Sequence, residues 1–319
     1  MSAGGRALRD AFSAGRTVVA PGVFNALFAR MVEEAGFEAL YVSGAGIANS
    51  LLGRPDVGLT TLTETAFVVE RIAEVVSIPL VVDADTGYGG VGNVARTVRT
   101  LERAGAAAIQ LEDQVNPKRC GHFAGKEVVE IAEMQERLAA ALDARRDPAT
   151  VVIARTDALE PHGMDEVLAR GAAYREAGAD VLFVDAPRSQ EEFATIGREL
   201  AGVPLMANMV EFARSPLVGA TGLAQLGFSL VIFPGSITRL VTRAARALLG
   251  ELAATGTTEG ALDKMASFDE VNDLLGRPAW AQWEARIKEE AARPSGSARP
   301  AGRPGSDADW ESADREDQP

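Results

Sequence analysis

Residues 78–112 read IPLVVDADTGYGGVGNVARTVRTLERAGAAAIQLE. A short apolar run, 78–83, ends in acids and a glycine loop. An amphipathic segment, 93–104, then leads through Ala104-Gly105 into a second apolar run, 107–112. Glycine after a helix supplies the left-handed turn that stops it. The stretch is therefore a strand–helix–strand unit, and both strands are too continuously apolar to have a wet face.

The unit recurs along the chain. Equivalent runs lie at 17–21, 39–43, 150–155, 180–185, 203–208 and 229–234, which makes eight strands. Helical periodicity fills 63–76, 132–145 and 165–177, and the Ala-Gly stop returns at Ala35-Gly36 and Ala177-Gly178. Eight parallel strands, each followed by a helix, predict an α/β (β/α)8 barrel. A doubly wound sheet would normally show a glycine-rich dinucleotide loop after its first strand, and Gly22-Val-Phe-Asn-Ala26 is not one.

Composition narrows the class. The 319 residues are 47% hydrophobic, enough for a large core, and the net charge of −13 argues against nucleic acid or an anionic membrane as partner. A single cysteine excludes an internal disulfide framework and suits a reducing cytoplasm. Neither a signal-peptide core near the N-terminus nor a membrane-spanning run is expected. The domain expectation is a catalytic barrel over 1–255 and a helical extension over 256–292, with single helices at 259–275 and 279–292 broken at Gly276-Arg-Pro278. Residues 293–319, poor in large apolar side chains, are expected to form a disordered tail.

In such a barrel the strand C-termini line the active site. They carry Ser43-Gly44-Ala45-Gly46, Asp83 and Asp85, Glu112-Asp113, Arg155-Thr-Asp157, Asp185, and Asn208 with Glu211 behind it. Asp83, Asp85 and Glu112 together suit a hard divalent cation, Mg²⁺ first, because it prefers oxygen ligands. There is no Cys/His set at zinc spacing. The loop Asn116-Pro-Lys-Arg-Cys-Gly-His122 holds the lone thiol, Cys120, among Lys118, Arg119 and His122. That positive field would lower the thiol's pKa and fit it for proton transfer. Gly121 allows close backbone approach to a small ligand. Arg155, at the end of an apolar strand, needs an anionic partner. Asp56 reads either as an outer metal contact or as a loop anchor, and loop residue His162 has no catalytic role.

The motifs Tyr41-Val-Ser-Gly-Ala-Gly46, Gly53-Arg-Pro-Asp-Val-Gly58, Val82-Asp-Ala-Asp-Thr-Gly-Tyr-Gly89, Leu111-Glu-Asp-Gln114, Lys118-Arg-Cys-Gly-His122, Ala154-Arg-Thr-Asp-Ala158 and Ala207-Asn-Met-Val-Glu211 run in order through residues 17–275. On them the chain resembles the isocitrate lyase/phosphoenolpyruvate mutase superfamily, in its methylisocitrate lyase-like branch. The resemblance implies a Mg²⁺-dependent carbon–carbon lyase, with Mn²⁺ as a substitute metal, acting on a small carboxylate of the 2-methylisocitrate or 2,3-dimethylmalate type. It implies Asp85 as the main metal ligand, with Asp83 and Glu112 acting partly through water. Ser43, Gly44 and Ala45 would hold one substrate carboxylate, and Arg155 and Asn208 the other. Asp56, Gly121 and Asp185 would complete the lining. Cys120 would be the general acid, on a loop shared with Lys118 and His122. The base is Tyr41 or a metal-bound water near Glu112. A C-terminal helix exchanged within a dimer, two dimers forming a tetramer, is also implied.

Carboxyphosphonoenolpyruvate mutases share the Asn-Pro-Lys-Arg-Cys-Gly-His loop, so a phosphonomutase is the first rival, and an oxaloacetate hydrolase or decarboxylase stands between. Phe123 stands where methylisocitrate lyases tend to have arginine, and Asp185 where glutamate is usual. Both point to a dicarboxylate substrate.

Overall fold

The computed structural model describes residues 3–121 and 125–292. Eight strands close into a parallel barrel in chain order: β1 (Val18–Val23), β2 (Leu40–Val42), β3 (Leu80–Asp83), β4 (Ala106–Glu112), β5 (Val151–Thr156), β6 (Val181–Val184), β7 (Leu205–Asn208) and β8 (Phe228–Phe233). Closure is through β1 against β8, with Val18 opposite Leu230 and Pro21 opposite Phe233. The (β/α)8 expectation is met, and each of the eight apolar runs is a strand to within about two residues at either end.

Two apolar layers explain the continuous hydrophobicity of the strands. Inside the barrel, Val18, Ala20, Tyr41, Val81, Ala108, Ile153, Val181, Phe183, Met206 and Leu230 pack together. Their chain neighbours, such as Leu40, Val82, Ile109, Val152 and Leu182, face outward onto the helices. Successive residues of a strand point to opposite faces, so both faces must be apolar.

A helix at Ala3–Ser13, missed in the sequence, contributes Leu8 and Ala11 to the inner layer. A second unforeseen helix, Gly44–Leu51, starts immediately after β2 with Ser43 as its cap: Ser43 Oγ accepts from Gly46 N at 3.1 Å. Serine is a strong helix-start residue, and the glycine-rich sequence hid the helix.

The chain divides into two compact units after Arg246, inside the helix Ser236–Thr255. In the second unit the single helix expected over 259–275 is instead a 3-10 turn, Glu259–Lys264, followed by the short helix Phe268–Leu274. Ser267 and Glu270 form a reciprocal cap that restarts the helix there. The last helix, Arg277–Ala292, begins with Pro278 in its first turn, where its missing N–H costs nothing. Large apolar side chains stay exposed here, including Leu262 at 61% and Phe268 at 77%. The expected tail falls outside the described residues. Among the described residues, no helix is long and apolar enough to cross a membrane.

Candidate active site

Asp83 ends β3, and Asp85 follows with φ of 48°, a left-handed conformation that costs a non-glycine residue on the order of 1–3 kcal/mol. Asp83 Oδ1 accepts from the Asp85 amide at 3.2 Å and from Gln110 Nε2 at 3.1 Å. The Tyr41 hydroxyl donates to Gln110 Oε1 at 3.0 Å. A buried relay thus runs from Tyr41 through Gln110 to Asp83. Burial, then the charge of Asp83, push the Tyr41 phenol well above its ordinary pKa. A phenol that holds its proton and already donates it is a poor base, so the structure disfavours Tyr41 in that role.

Glycine at 44 is required for the closeness of these groups. A Cβ there would lie 2.9 Å from Asp83 Oδ2 and 3.4 Å from Asp85 Oδ1. The amides of Gly44 and Ala45 open the helix after β2, where an α-helix leaves its N–H groups without internal partners. Buried carboxylates and free amides of a helix start therefore face the same space.

Lys118 reaches into it from the loop after β4. Its ammonium lies 2.5 Å from Asp56 Oδ1 and 2.7 Å from Asp85 Oδ1. Burial alone would lower the Lys118 pKa, but Asp85, Glu112, Asp83 and Asp56 together raise it well above the usual value. Burial drives the Asp85 carboxyl up to about 6, against the opposing pull of Lys118. The Lys118 ammonium, expected with Arg119 and His122 to make a positive field around Cys120, is paired with two aspartates. Asp56 ties the loop down: its side chain holds Lys118, and its carbonyl accepts from the Cys120 amide at 3.2 Å. Cys120 is half-buried. His122 and Phe123 lie outside the described residues.

On the opposite side, Arg155 finds its anionic partners within the chain. Its Nε and Nη2 donate to Asp157 at 2.8 and 3.0 Å, Nη2 lies 3.2 Å from Asp185, and Nη1 lies 3.4 Å from Glu112 Oε2. The guanidinium also lies over the Phe183 ring, 5.2 Å from its centroid. Burial would raise the Asp157 carboxyl, but Arg155 and then Lys126 outweigh it and hold the group well below the usual range. Asn208 Nδ2 donates to Asp185 Oδ1 at 3.1 Å. A substrate carboxylate would therefore share Arg155 with protein acids. A Cβ on Gly121 would overlap Asp185 Oδ2 and Arg155 Nη2, so the loop comes down onto this pair, as glycine there allows.

Between the two sides stands Glu112, 1% exposed, and neither of its carboxylate oxygens has a hydrogen-bond partner. Burial pushes its pKa well above the ordinary value. Asn208 Oδ1 is likewise buried without a hydrogen bond, and Asp85 Oδ1 and Asp185 Oδ2 have only ion pairs, the first with Lys118 and the second with Arg155 and Lys126. Buried oxygens this short of hydrogen-bond donors fit a site that takes a bound group. No three acidic, histidine or cysteine side chains among the described residues are close enough to cage a metal directly. The oxygen-only donors fit an ion that uses one or two carboxylates and keeps several waters, which is the habit of Mg²⁺.

Two residues escaped the sequence reading as site members, Gln110 and Lys126, while Asp157 stood among the strand-end residues without a stated role. Gln110 left a signal, a lone amide in an otherwise apolar strand. Asp113, adjacent to Glu112, is structural: Oδ2 takes Tyr174 OH at 2.8 Å and Arg170 Nη1 at 3.1 Å, and Oδ1 takes the Asp157 amide at 2.9 Å. Glu211 is tied to Ser236 and Arg239.

Comparison with known proteins gives a consistent set of relatives. The family profile described as phosphoenolpyruvate phosphomutase covers residues 8–253. The 2,3-dimethylmalate lyase of Eubacterium barkeri is 45% identical over 84% of this chain and 93% of its own. The 2-methylisocitrate lyase of Aeropyrum pernix is 44% identical over 90% and 92%. Among solved structures, an oxaloacetate acetylhydrolase complexed with 3,3-difluorooxalacetate superposes with a TM-score of 0.84 at 36% identity, over 92% of this chain and 98% of the other. A phosphonopyruvate hydrolase complexed with oxalate and Mg²⁺ gives 0.82 at 32%, over 90% and 100%.

Proposed function

The chain belongs to the phosphoenolpyruvate phosphomutase family, of the isocitrate lyase/phosphoenolpyruvate mutase superfamily, and from that premise we propose that it is a Mg²⁺-dependent carbon–carbon lyase. Its substrate is a malate-like 2-hydroxy acid of the 2,3-dimethylmalate or 2-methylisocitrate type, cleaved to a 2-oxo acid, pyruvate in the simplest case, and a second carboxylate. The observation that carries this reading is Glu112. Neither of its oxygens accepts a hydrogen bond, and they are buried at the barrel mouth between the Asp83–Asp85 pair and Arg155, with only a 3.4 Å ion-pair contact from Arg155 to Oε2.

Asp85 would hold Mg²⁺, with Asp83 and Glu112 assisting through water. The ion would supply Lewis-acid polarisation of the 2-hydroxy-carboxylate end. The free amides of Gly44 and Ala45 bind one carboxylate. Arg155 and Asn208 bind and orient the other, and Arg155 offsets the negative charge that develops as the carbon–carbon bond breaks. Glu112, buried between the Asp83–Asp85 pair and Arg155 with no hydrogen-bond donor on either oxygen, is the better-placed candidate to take the hydroxyl proton, directly or through a water. Cys120, carried over the site by its loop, protonates the released carbanion. Tyr41 keeps its proton and steadies Gln110 and Asp83.

The exposed apolar side chains of the second unit support the homo-oligomer reading, a dimer of dimers built on an exchanged C-terminal helix. The lone cysteine supports a cytoplasmic location. An oxaloacetate hydrolase is the second reading, favoured by the structural likeness to the acetylhydrolase. Incubation with MgCl₂ and, in turn, 2,3-dimethylmalate, 2-methylisocitrate, oxaloacetate and phosphonopyruvate tests the proposal. Pyruvate from either of the first two supports it. Oxalate from oxaloacetate, with no cleavage of the hydroxy acids, transfers the assignment to the hydrolase.

A further inference from the structure

Lys126 takes no part in the chemistry above, yet its side chain is only 1% exposed. Its ammonium donates to the Gly121 carbonyl at 2.6 Å and to Asp157 Oδ1 at 2.9 Å, and lies 3.9 Å from Asp185 Oδ2. One cation thus joins the carbonyl of the residue after Cys120 to the acid that orients Arg155 and to the acid that Asn208 holds.

The rest of the segment is fixed by other means. Gln114 pairs with Val128 in an antiparallel bridge at the base of the loop. The Gln114 side chain brackets the Arg119 backbone, accepting from its amide at 2.9 Å and donating to its carbonyl at 2.8 Å. Lys118 is held by Asp56 and Asp85. Apart from the Val128 bridge, these bonds stop short of Gly121, which lies on Arg155 and Asp185 with no room for a Cβ. Arg155 alone already donates to both carboxylate oxygens of Asp157. What Lys126 adds is the bond to the loop.

We propose that Lys126 is a positioning residue that, through the Gly121 carbonyl, fixes the residue after Cys120 against the Arg155–Asp185 pair and so sets where the thiol stands. A buried ammonium must stay paired, and only the loop in this place offers it the Gly121 carbonyl. The consequence for turnover rests on the lyase reading; the position of the thiol does not.

Because Cys120 is the only cysteine in the chain, its alkylation by iodoacetamide, followed by intact mass on the full-length protein, reads the loop directly. Lys126→Met should speed alkylation about tenfold or more, the scale of removing one charge-assisted hydrogen bond from a local opening. Lys126→Gln, which keeps a donor, should fall between. Val98→Ala, a destabilising cavity in the helical layer, should alkylate at the wild-type rate and so exclude global loosening as the cause. If the lyase reading holds, Lys126→Met should lose kcat with little change in KM. A wild-type alkylation rate in folded Lys126→Met overturns the proposal. Should that variant fail to fold, a wild-type rate in Lys126→Gln does the same. If no substrate is cleaved, the alkylation series still decides.

Discussion

The Lys118 ammonium stands 2.7 Å from Asp85 Oδ1, bolting the loop that carries Cys120 to the end of β3. The proposed metal ligand and the proposed proton donor are therefore held by one ion pair. Removing the acid should disturb both halves of the chemistry.

Asp85→Ala should abolish Mg²⁺ binding and activity together, since a hard cation loses its principal charged ligand. Asp83→Ala should be milder, weakening Mg²⁺ by about 10–100-fold, because Asp83 serves mainly to fix Gln110 and the Asp85 amide. Calorimetric titration of Mg²⁺ into each variant makes the comparison. Wild-type affinity in Asp85→Ala would place the metal elsewhere.

Cys120→Ser should lower kcat by about a hundredfold or more, the lower range of what a positioned general acid contributes, while Mg²⁺ and oxalate still bind. Near-wild-type turnover in this variant would remove the thiol from the chemistry.

Asp113→Ala should destabilise the protein by about 3–5 kcal/mol, because it leaves the buried Arg170 guanidinium without its innermost acid and Tyr174 without an acceptor. Urea unfolding followed by circular dichroism measures the loss. An unchanged midpoint would contradict the structural role assigned to Asp113.

These residues show what could be read from the chain and what could not. The strands were legible because a parallel barrel buries both strand faces, so that short, β-branched runs such as Val-Val-Ile-Ala or Val-Leu-Phe-Val between helical segments read as buried strands. The strand-end acids followed from the barrel, since its geometry brings every strand terminus to one rim. Pairings across that rim were not legible. Lys118 looked like a neighbour of Cys120 because it is close in sequence, yet its partners are 62 residues back, at Asp56, and at the end of β3. Asp113 looked like Glu112's twin; alternation along the chain sends one inward to the site and the other to Arg170 and Tyr174. The helix expected over 259–275 failed at Ser267, where a local cap outweighed the apolar periodicity.

Truncation before Glu259 should change the mass of the particle, because exposed Leu262, Phe268 and Val271 mark a surface that needs covering. Light scattering after size exclusion reads the outcome. A truncated protein that keeps both its activity and its oligomeric mass would rule out an exchanged C-terminal helix.

The reading of Phe123 and Asp185 favours the smaller substrate. The Asp185 side chain engages both Arg155 and Asn208, and so takes up donors that a third substrate carboxylate would need. The kcat/KM for 2,3-dimethylmalate should therefore exceed that for 2-methylisocitrate, and Asp185→Glu should narrow the ratio. A preference for the tricarboxylate in the unmodified protein would show that another residue receives the extra charge.

The most direct measurement is pyruvate release from 2,3-dimethylmalate and from 2-methylisocitrate by the full-length protein, with Mg²⁺ and again after chelation by EDTA. The account predicts stoichiometric pyruvate with the metal, none after chelation, and recovery when Mg²⁺ is restored. Failure to cleave either acid in the presence of Mg²⁺, or cleavage that persists in EDTA, would contradict it.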